Sequence, residues 1–242
     1  MKKSIGMFLL GATLAFGLAF SAYLVAQAAI KVSKSETIRV KGAASKFVNS
    51  DTGCWTGIIH AAGINLTEAS RQLSTVEKQA QKLIVGIGFA ENNIIWDDIQ
   101  IETVFRRNDK GISTGEVQGY RLSRCLSVTS SDVNRIETIG RQFTNMVKLG
   151  YHVENCGTSY TISDLDAHKI ELLANATQNG YQRAETLAGS AGGKVGELLS
   201  ASQGIFQVLA PGEGNISDYG TYDRSTIVKE IKAVVTLEFN VK

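Results

Sequence analysis

Residues 65–88 read NLTEASRQLSTVEKQAQKLIVGIG. Leu66, Ala69, Leu73, Val76, Ala80, Leu83 and Ile87 recur at alternating spacings of three and four, which places them on one continuous stripe of an α-helix. Asn65 stands where a helix cap is expected, and Glu68 three residues on completes a box-like start. Gly86 and Gly88 mark the end. A helix with one apolar stripe needs a surface to cover, and the flanking segments supply strands.

Upstream, Glu36 to Val48 alternates through Ile38, Val40, Phe47 and Val48 around Gly42-Ala43-Ala44. Asn49-Ser50-Asp51 reads as a turn, and a second strand runs through Trp55, Ile58 and Ile59. Downstream, Ile94 to Arg106 and Glu116 to Thr129 read as strands joined by a hairpin turn at Asn108-Asp109-Lys110-Gly111. Tyr120, Leu122, Leu126 and Val128 fall on one face of the return strand. Asp132 to Leu149 follows as a helix with the stripe Val133, Ile136, Ile139, Phe143 and Val147. Tyr151 to Ile162 is a strand, and Ser163 is the expected cap of a long helix over 164–190. Ala176, Gly180, Ala184 and Ala188 form a narrow ridge on that helix, suited to very close packing on a sheet. Strands at 195–209 and 225–241 close the chain, the latter carrying Ile227, Val234, Leu237, Phe239 and Val241.

The order is ββαββαβαββ. Strands outnumber helices and several neighbours are hairpin-connected. The expected class is therefore α+β, with mostly antiparallel sheets and helices packed on one face. A doubly wound parallel fold is disfavoured.

The N-terminus differs from the rest. Lys2 and Lys3 precede a stretch from Ser4 to Ile30 without a charged residue. That exceeds the roughly 20 residues of a membrane-spanning helix. Two readings stand: a retained anchor meeting the membrane through residues 5–29, or a signal peptide cut after the small-x-small triplet Ala26-Gln27-Ala28. Gly11, Ala15 and Ala19 share one face of such a helix, which favours the anchor. Either way the paired lysines hold the N-terminus in the cytoplasm and the remainder crosses. The expected division is an anchor or signal segment at 1–30 and an envelope domain at 31–242.

With Lys2 and Lys3 set aside, basic and acidic residues balance at 23 each. A neutral domain has no general attraction for nucleic acid, whose binding rests on phosphate neutralisation. A single proline, Pro211, and 43% hydrophobic content describe an ordinary globular chain.

Catalytic motifs do not survive inspection. Gly111-Ile112-Ser113-Thr114-Gly115 has the GxSxG form, but a nucleophile elbow needs a helix after it and here a strand follows. Residues 189–195 suggest a phosphate loop around Gly193-Lys194, yet valine stands where Ser or Thr should hold magnesium. His60, His152 and His168 stand singly, without metal-ligand spacing. Asp97-Asp98 reads as a turn before a strand rather than a carboxylate pair. Asn65, Asn175 and Asn215 open sequons, of which only the last falls in an expected loop.

Cys54, Cys125 and Cys156 form no CxxC pair. Cys125 and Cys156 are a candidate disulfide if their strands are neighbours. The glycine-rich segment 211–223, with Tyr219 and Tyr222, is a candidate ligand loop, since aromatic rings in loops suit recognition.

At this point the sequence resembles the SIMPL-domain family of bacterial periplasmic immunogenic proteins. The likeness rests on Ile38-Arg39-Val40-Lys41-Gly42 followed by Val48, Asp51 and Trp55. It continues through Glu68-Ala69, Gly88-Phe89, Asp98-Ile99-Gln100 and Gly119-Tyr120, and ends with Ala176, Ala184, Leu187-Ala188, Gly193 and Gly196. Ser50 departs from the proline many members carry there. The resemblance implies an envelope protein without established enzymatic activity, cofactor or defined ligand residues, and a tendency to form ring-like homo-oligomers. The expected function is thus a non-enzymatic, membrane-anchored envelope protein that self-associates in the periplasm. The alternative is a periplasmic binding module for a lipid, peptide or cell-wall ligand.

Overall fold

The computed structural model describes residues 13–27, 36–214 and 219–242. The class is α+β, with four helices and eight strands among the described residues. The helices are α1 (residues 13–27), α2 (Leu66–Ile87), α3 (Val133–Thr144) and α4 (Leu165–Ser190). The strands are β1 (Thr37–Asn49), β2 (Thr52–Gly63), β3 (Ile94–Arg107), β4 (Ser113–Ser130), β5 (His152–Thr161), β6 (Val195–Gln203), β7 (Gln207–Leu209) and β8 (Val228–Val241). Two compact units share this chain. The larger comprises residues 45–170 and 205–232; the smaller comprises the stretches up to residue 44, 171–204 and 233–242.

The larger unit holds a four-stranded sheet in the order β3-β4-β2-β5, antiparallel at every pairing. Strand periodicity sorts β2 cleanly: Trp55, Ile59 and Ala61 face inward, while Cys54, Thr56, Ile58 and His60 face outward. The inward residues form one core with Leu122, Leu126 and Val128 of β4 and with both α2 and α3. The two helices therefore cover the same face. Asn65 accepts the Glu68 N–H at 2.9 Å, and Gly88 closes α2 at φ +107° by donating to the Ile84 and Val85 carbonyls. Trp55 is fully buried, edge-on to Phe143 at 4.8 Å, and its Nε1–H donates to Asn155 Oδ1 at 2.9 Å.

In the smaller unit α4 carries its ridge against the sheet. Ala176, Gly180 and Ala184 are fully or almost fully buried. Gly42 of β1 lies so close to Gly180 that a Cβ on Gly42 would sit 2.1 Å from the Ala176 carbonyl oxygen. The neighbouring Ala43 N–H reaches Asn179 Oδ1 at 3.2 Å. β8 lies between β1 and β6, pairing with β6 in antiparallel register from Val195↔Val241 to Gln203↔Val235.

Several expectations need correction. The strand expected at 195–209 is two, β6 and β7, because the Gly204 N–H turns to the Val234 carbonyl and interrupts it. The inward parity of β8 is Ile231, Ala233, Val235, Leu237 and Phe239, so Val234 faces out. The helix expected at 132–149 tightens after Thr144 into a 3-10 turn at Asn145–Leu149. That change of pitch buries Met146 in place of Val147. Ser163 does not cap α4: its hydroxyl donates to Asp51, and Asp164 Oδ1 accepts the Ala167 N–H instead. Asp97-Asp98 lies in a bulge within β3, between Trp96 and Ile99, rather than before it.

The apolar N-terminal stretch is described only over α1. Among the described residues no helix is long and apolar enough to cross a membrane. The remainder of the expected anchor at 5–29, including residues 5–12 and the cut site at Ala28, lies outside the described residues. Asn215 also lies outside them, while Asn65 and Asn175 sit at the start of α2 and within α4.

Candidate functional site

β3 is an edge strand. It pairs with β4 alone, so one row of its backbone N–H and C=O groups has no strand partner among the described residues. β2 ends opposite Tyr120, at Gly63↔Tyr120. Beyond that point β3 and β4 have only each other, through Val104↔Gly119, Phe105↔Val117 and Arg107↔Ser113. Residues 104–119 are thus a two-stranded arm extending past the sheet.

The tip is well specified. Asn108 Oδ1 accepts from the Lys110 and Ile112 N–H groups, the Asn108 and Gly111 backbones close the turn, and Gly111 holds φ +76°. Ser113, at the start of β4, follows this turn and precedes no helix, so the elbow geometry is absent there. The arm and the adjoining edge expose Ile95, Ile99, Ile101, Phe105, Ile112 and Val117, each more than two-fifths accessible. Ion pairs run alongside, Arg121 to Glu102 at 2.7 Å and Arg106 to Glu116 at 3.4 Å. An isolated two-stranded hairpin is marginal in water, and this one carries a row of apolar side chains that the unit itself does not cover.

The cysteines fall on the helix-free face of the same sheet. Cys125 on β4 lies opposite Ile58 of β2, and Ile58 lies opposite Glu154 of β5. β2 therefore separates the strands of Cys125 and Cys156. Two inter-strand steps of about 4.8 Å exceed the Cα span that a disulfide bridges, so the neighbour condition for a Cys125–Cys156 bond is not met. All three cysteines are free thiols. Burial holds the Cys125 thiol above its ordinary pKa, and Asp97 beside it adds to the effect. Burial does the same to Cys156, with Glu154 contributing. Neither is an activated thiolate.

Of the candidate loop residues, Tyr222 is a structural strut. It bridges to Val208, and its hydroxyl accepts the Ile162 N–H at 3.1 Å. Tyr219 is almost fully exposed. Beside them is a feature that sequence reasoning missed, the fully buried Lys229. Its ammonium donates to the Asp223 carbonyl at 2.6 Å, to the Thr226 carbonyl at 2.8 Å and to Asp223 Oδ2 at 3.3 Å. Burial alone would raise the Asp223 carboxyl, but hydrogen bonds from Thr226, Ser225 and Lys229 hold it far below the usual carboxylate range. The signal was present in the pattern, since Lys229 has the same parity as Ile231 and Ala233.

Two of the histidines meet. His60 and His152 are cross-strand partners whose rings stack at 4.5 Å. His60 Nδ1 is buried without a partner, and its Nε2 lies 3.8 Å from Glu154. Burial, reinforced by His152, lowers the His60 pKa, and Glu154 opposes that. Among the described residues no group of three or more His, Cys, Asp or Glu is arranged to hold a metal ion.

A family model described as SIMPL, protein of unknown function (DUF541), matches residues 38–239. No curated protein matches the chain. Among solved structures, an amidase of the hydantoinase/carbamoylase family from Burkholderia phymatum shows 12% identity and a TM-score of 0.28 over 58% of this chain and 36% of that one. The ligand-free regulatory subunit of aspartate kinase from Thermus thermophilus shows 12% identity and a TM-score of 0.21 over 81% and 88%. The chain thus spans about a third of the amidase, and likenesses of this strength carry no argument about fold or activity.

Proposed function

This chain belongs to the SIMPL family, and from that premise we propose that it is a non-enzymatic, membrane-anchored envelope protein that assembles into a ring of identical copies. The observation that supports this reading is the β3–β4 arm. Its exposed Phe105, Ile112 and Val117, and the unpaired β3 edge beside them, suit pairing with another copy. Docking costs an estimated 4–15 kcal/mol in lost freedom. Burial of a large apolar side chain returns roughly 1.5–3 kcal/mol. Several of these side chains must therefore be covered together, as a continuous strand-to-strand contact would do. An arm that meets a different surface on its neighbour makes a head-to-tail contact, and such contacts close into rings when the rotation permits. Lys2, Lys3 and the uncharged stretch after them support anchoring, with the domain on the far side of the inner membrane.

The test is light scattering on the full chain in a non-ionic detergent. A mass of several copies is expected, and Phe105→Asp combined with Val117→Asp is expected to reduce it to one with the melting temperature little changed. A wild-type chain that stays monomeric at high concentration would overturn the proposal. Intact mass of protein recovered from membranes separates a chain beginning at Met1 from one beginning near Ala29.

A further inference from the structure

Where β2 ends, it bounds a cavity of about 470 Å³ together with α2, β4 and the start of β5. That volume is within the range of small-molecule sites. Its walls carry Arg71 from α2, Arg121 from β4, the stacked His60 and His152, and Gln72 and Tyr151. Among the described residues no carboxylate lines it. We propose that this cavity binds a small polyanion, a compact molecule bearing more than one phosphate or carboxylate group.

The charge arrangement carries the proposal. Arg71 has no ion-pair partner among the described residues, although it lies on a wall with other basic groups. Arg121 is paired with Glu102 outside the cavity, in a contact at least half exposed on both sides and therefore weak. Glu154 faces His60 from β5, but its side chain is largely in solvent. Nearby on α2, Glu68 is engaged by Gln72. The two guanidinium-bearing residues come from different elements, Arg71 from the helix that covers the inward face and Arg121 from the outward parity of β4, so they flank the open end of β2 from its two sides. A single monoanion would satisfy one of them; a polyanion satisfies both. Gln72, whose amide also donates to Glu68, and Tyr151 line the same cavity, and the stacked His60 and His152 rings lie at its border. Guanidinium contacts to phosphate or carboxylate are charge-assisted and can be bidentate. Each is worth a factor of roughly ten to a hundred in affinity.

The test uses the full chain in non-ionic detergent, titrated by calorimetry with pyrophosphate and with citrate, and separately by co-sedimentation with phosphatidylglycerol vesicles. Saturable binding of either soluble probe is expected, weakened at least tenfold by Arg71→Gln and further by adding Arg121→Gln. Imidazole resonances of His60 and His152 should shift on binding. Arg183→Gln removes the same charge from α4 and should leave affinity unchanged. Vesicle binding without soluble-probe binding, lost in Arg71→Gln, would identify a lipid headgroup as the source of the anion and still support the site. Absence of saturable binding in every arm overturns the proposal, as does equal weakening by Arg183→Gln. Arg71 is exposed on a helix, so Arg71→Gln should fold and keep the wild-type assembly mass, which separates this result from the self-association test.

Discussion

Gly42→Ala tests how tightly the smaller unit is packed. A Cβ built on Gly42 lies 2.1 Å from the Ala176 oxygen, 2.5 Å from Gly180 N and 2.7 Å from Gly180 Cα. All three are backbone atoms, so no rotamer change relieves the clash. Either α4 or β1 must move by about 1 Å to restore ordinary contact distances. Overpacking costs typically ~1–3 kcal/mol. A gap of that size along the rest of the helix also forfeits roughly a quarter to a half of the dispersion energy at Ala176, Gly180 and Ala184. The expected loss is therefore about 3 kcal/mol or more, a fall of roughly 6–12 °C in melting temperature for a chain of this size. Gly180→Ala is the internal control. Its Cβ would meet the Leu237 Cδ1 methyl at 2.8 Å, the end of a flexible side chain, and Gly42 Cα at 3.3 Å. Helix propensity returns up to ~1 kcal/mol at that position, so the net change should fall within about 1 kcal/mol of zero. Urea unfolding followed by circular dichroism measures both. Equal midpoints for the two variants would refute the reasoning, because they would mean the β1–α4 contact is looser than the ridge requires.

Other outcomes follow from single contacts. Asn155→Ala removes the acceptor for the buried Trp55 indole N–H, and should lower stability by about 1–3 kcal/mol in urea unfolding. Lys229→Ala leaves the Asp223 carboxylate without its ammonium and should cost about 3–5 kcal/mol by the same assay. Asp223 titrates well below its unfolded value. Its stabilisation is thus present above pH ~4, where the unfolded carboxyl ionises, and lost as pH falls further, which acid titration of the fluorescence should show. His60 is also depressed below its ordinary 6.5. The neutral ring is favoured in the fold, so its contribution is present above about pH 6.5 and lost as pH falls through the lower folded value. Thermal melts from pH 7 to 5 should fall less steeply for His60→Gln than for the wild type.

The sequence was most readable where periodicity and local chemistry agree. The α2 bounds, its Asn65 cap and its Gly88 stop required only neighbours within a few residues, and the structure reproduces them; the stripe holds at Ala69, Leu73, Val76 and Ala80, while Ile84 is buried in place of Leu83 and Leu66 is exposed. The Ala176–Gly180–Ala184–Ala188 ridge was equally plain, because only close approach justifies glycine inside a helix. The misses that bear on the candidate site are long-range. Which strands lie side by side decides whether Cys125 can reach Cys156 and whether His60 meets His152, and no local pattern states that. Ser163 has the type and position of a cap, but Asp51, far back in the chain, takes its hydroxyl. The arm was visible as a hairpin; that it outruns β2 depends on where a strand distant in sequence stops. The basic cavity was hidden for the same reason, since Arg71, Arg121 and His152 belong to three separate segments.

The smaller unit is stitched from three separated stretches, and its central strand is the last of them. While the chain is being made, β1 and the later turns of α4 emerge long before residues 233–242 exist to lie between β1 and β6. The larger unit's sheet has all four of its strands by residue 161. The larger unit is in turn completed by residues 205–232, and until residues 233–242 are made the smaller unit lacks the strand that lies between β1 and β6, so a truncation after residue 232 would strip it of its keystone.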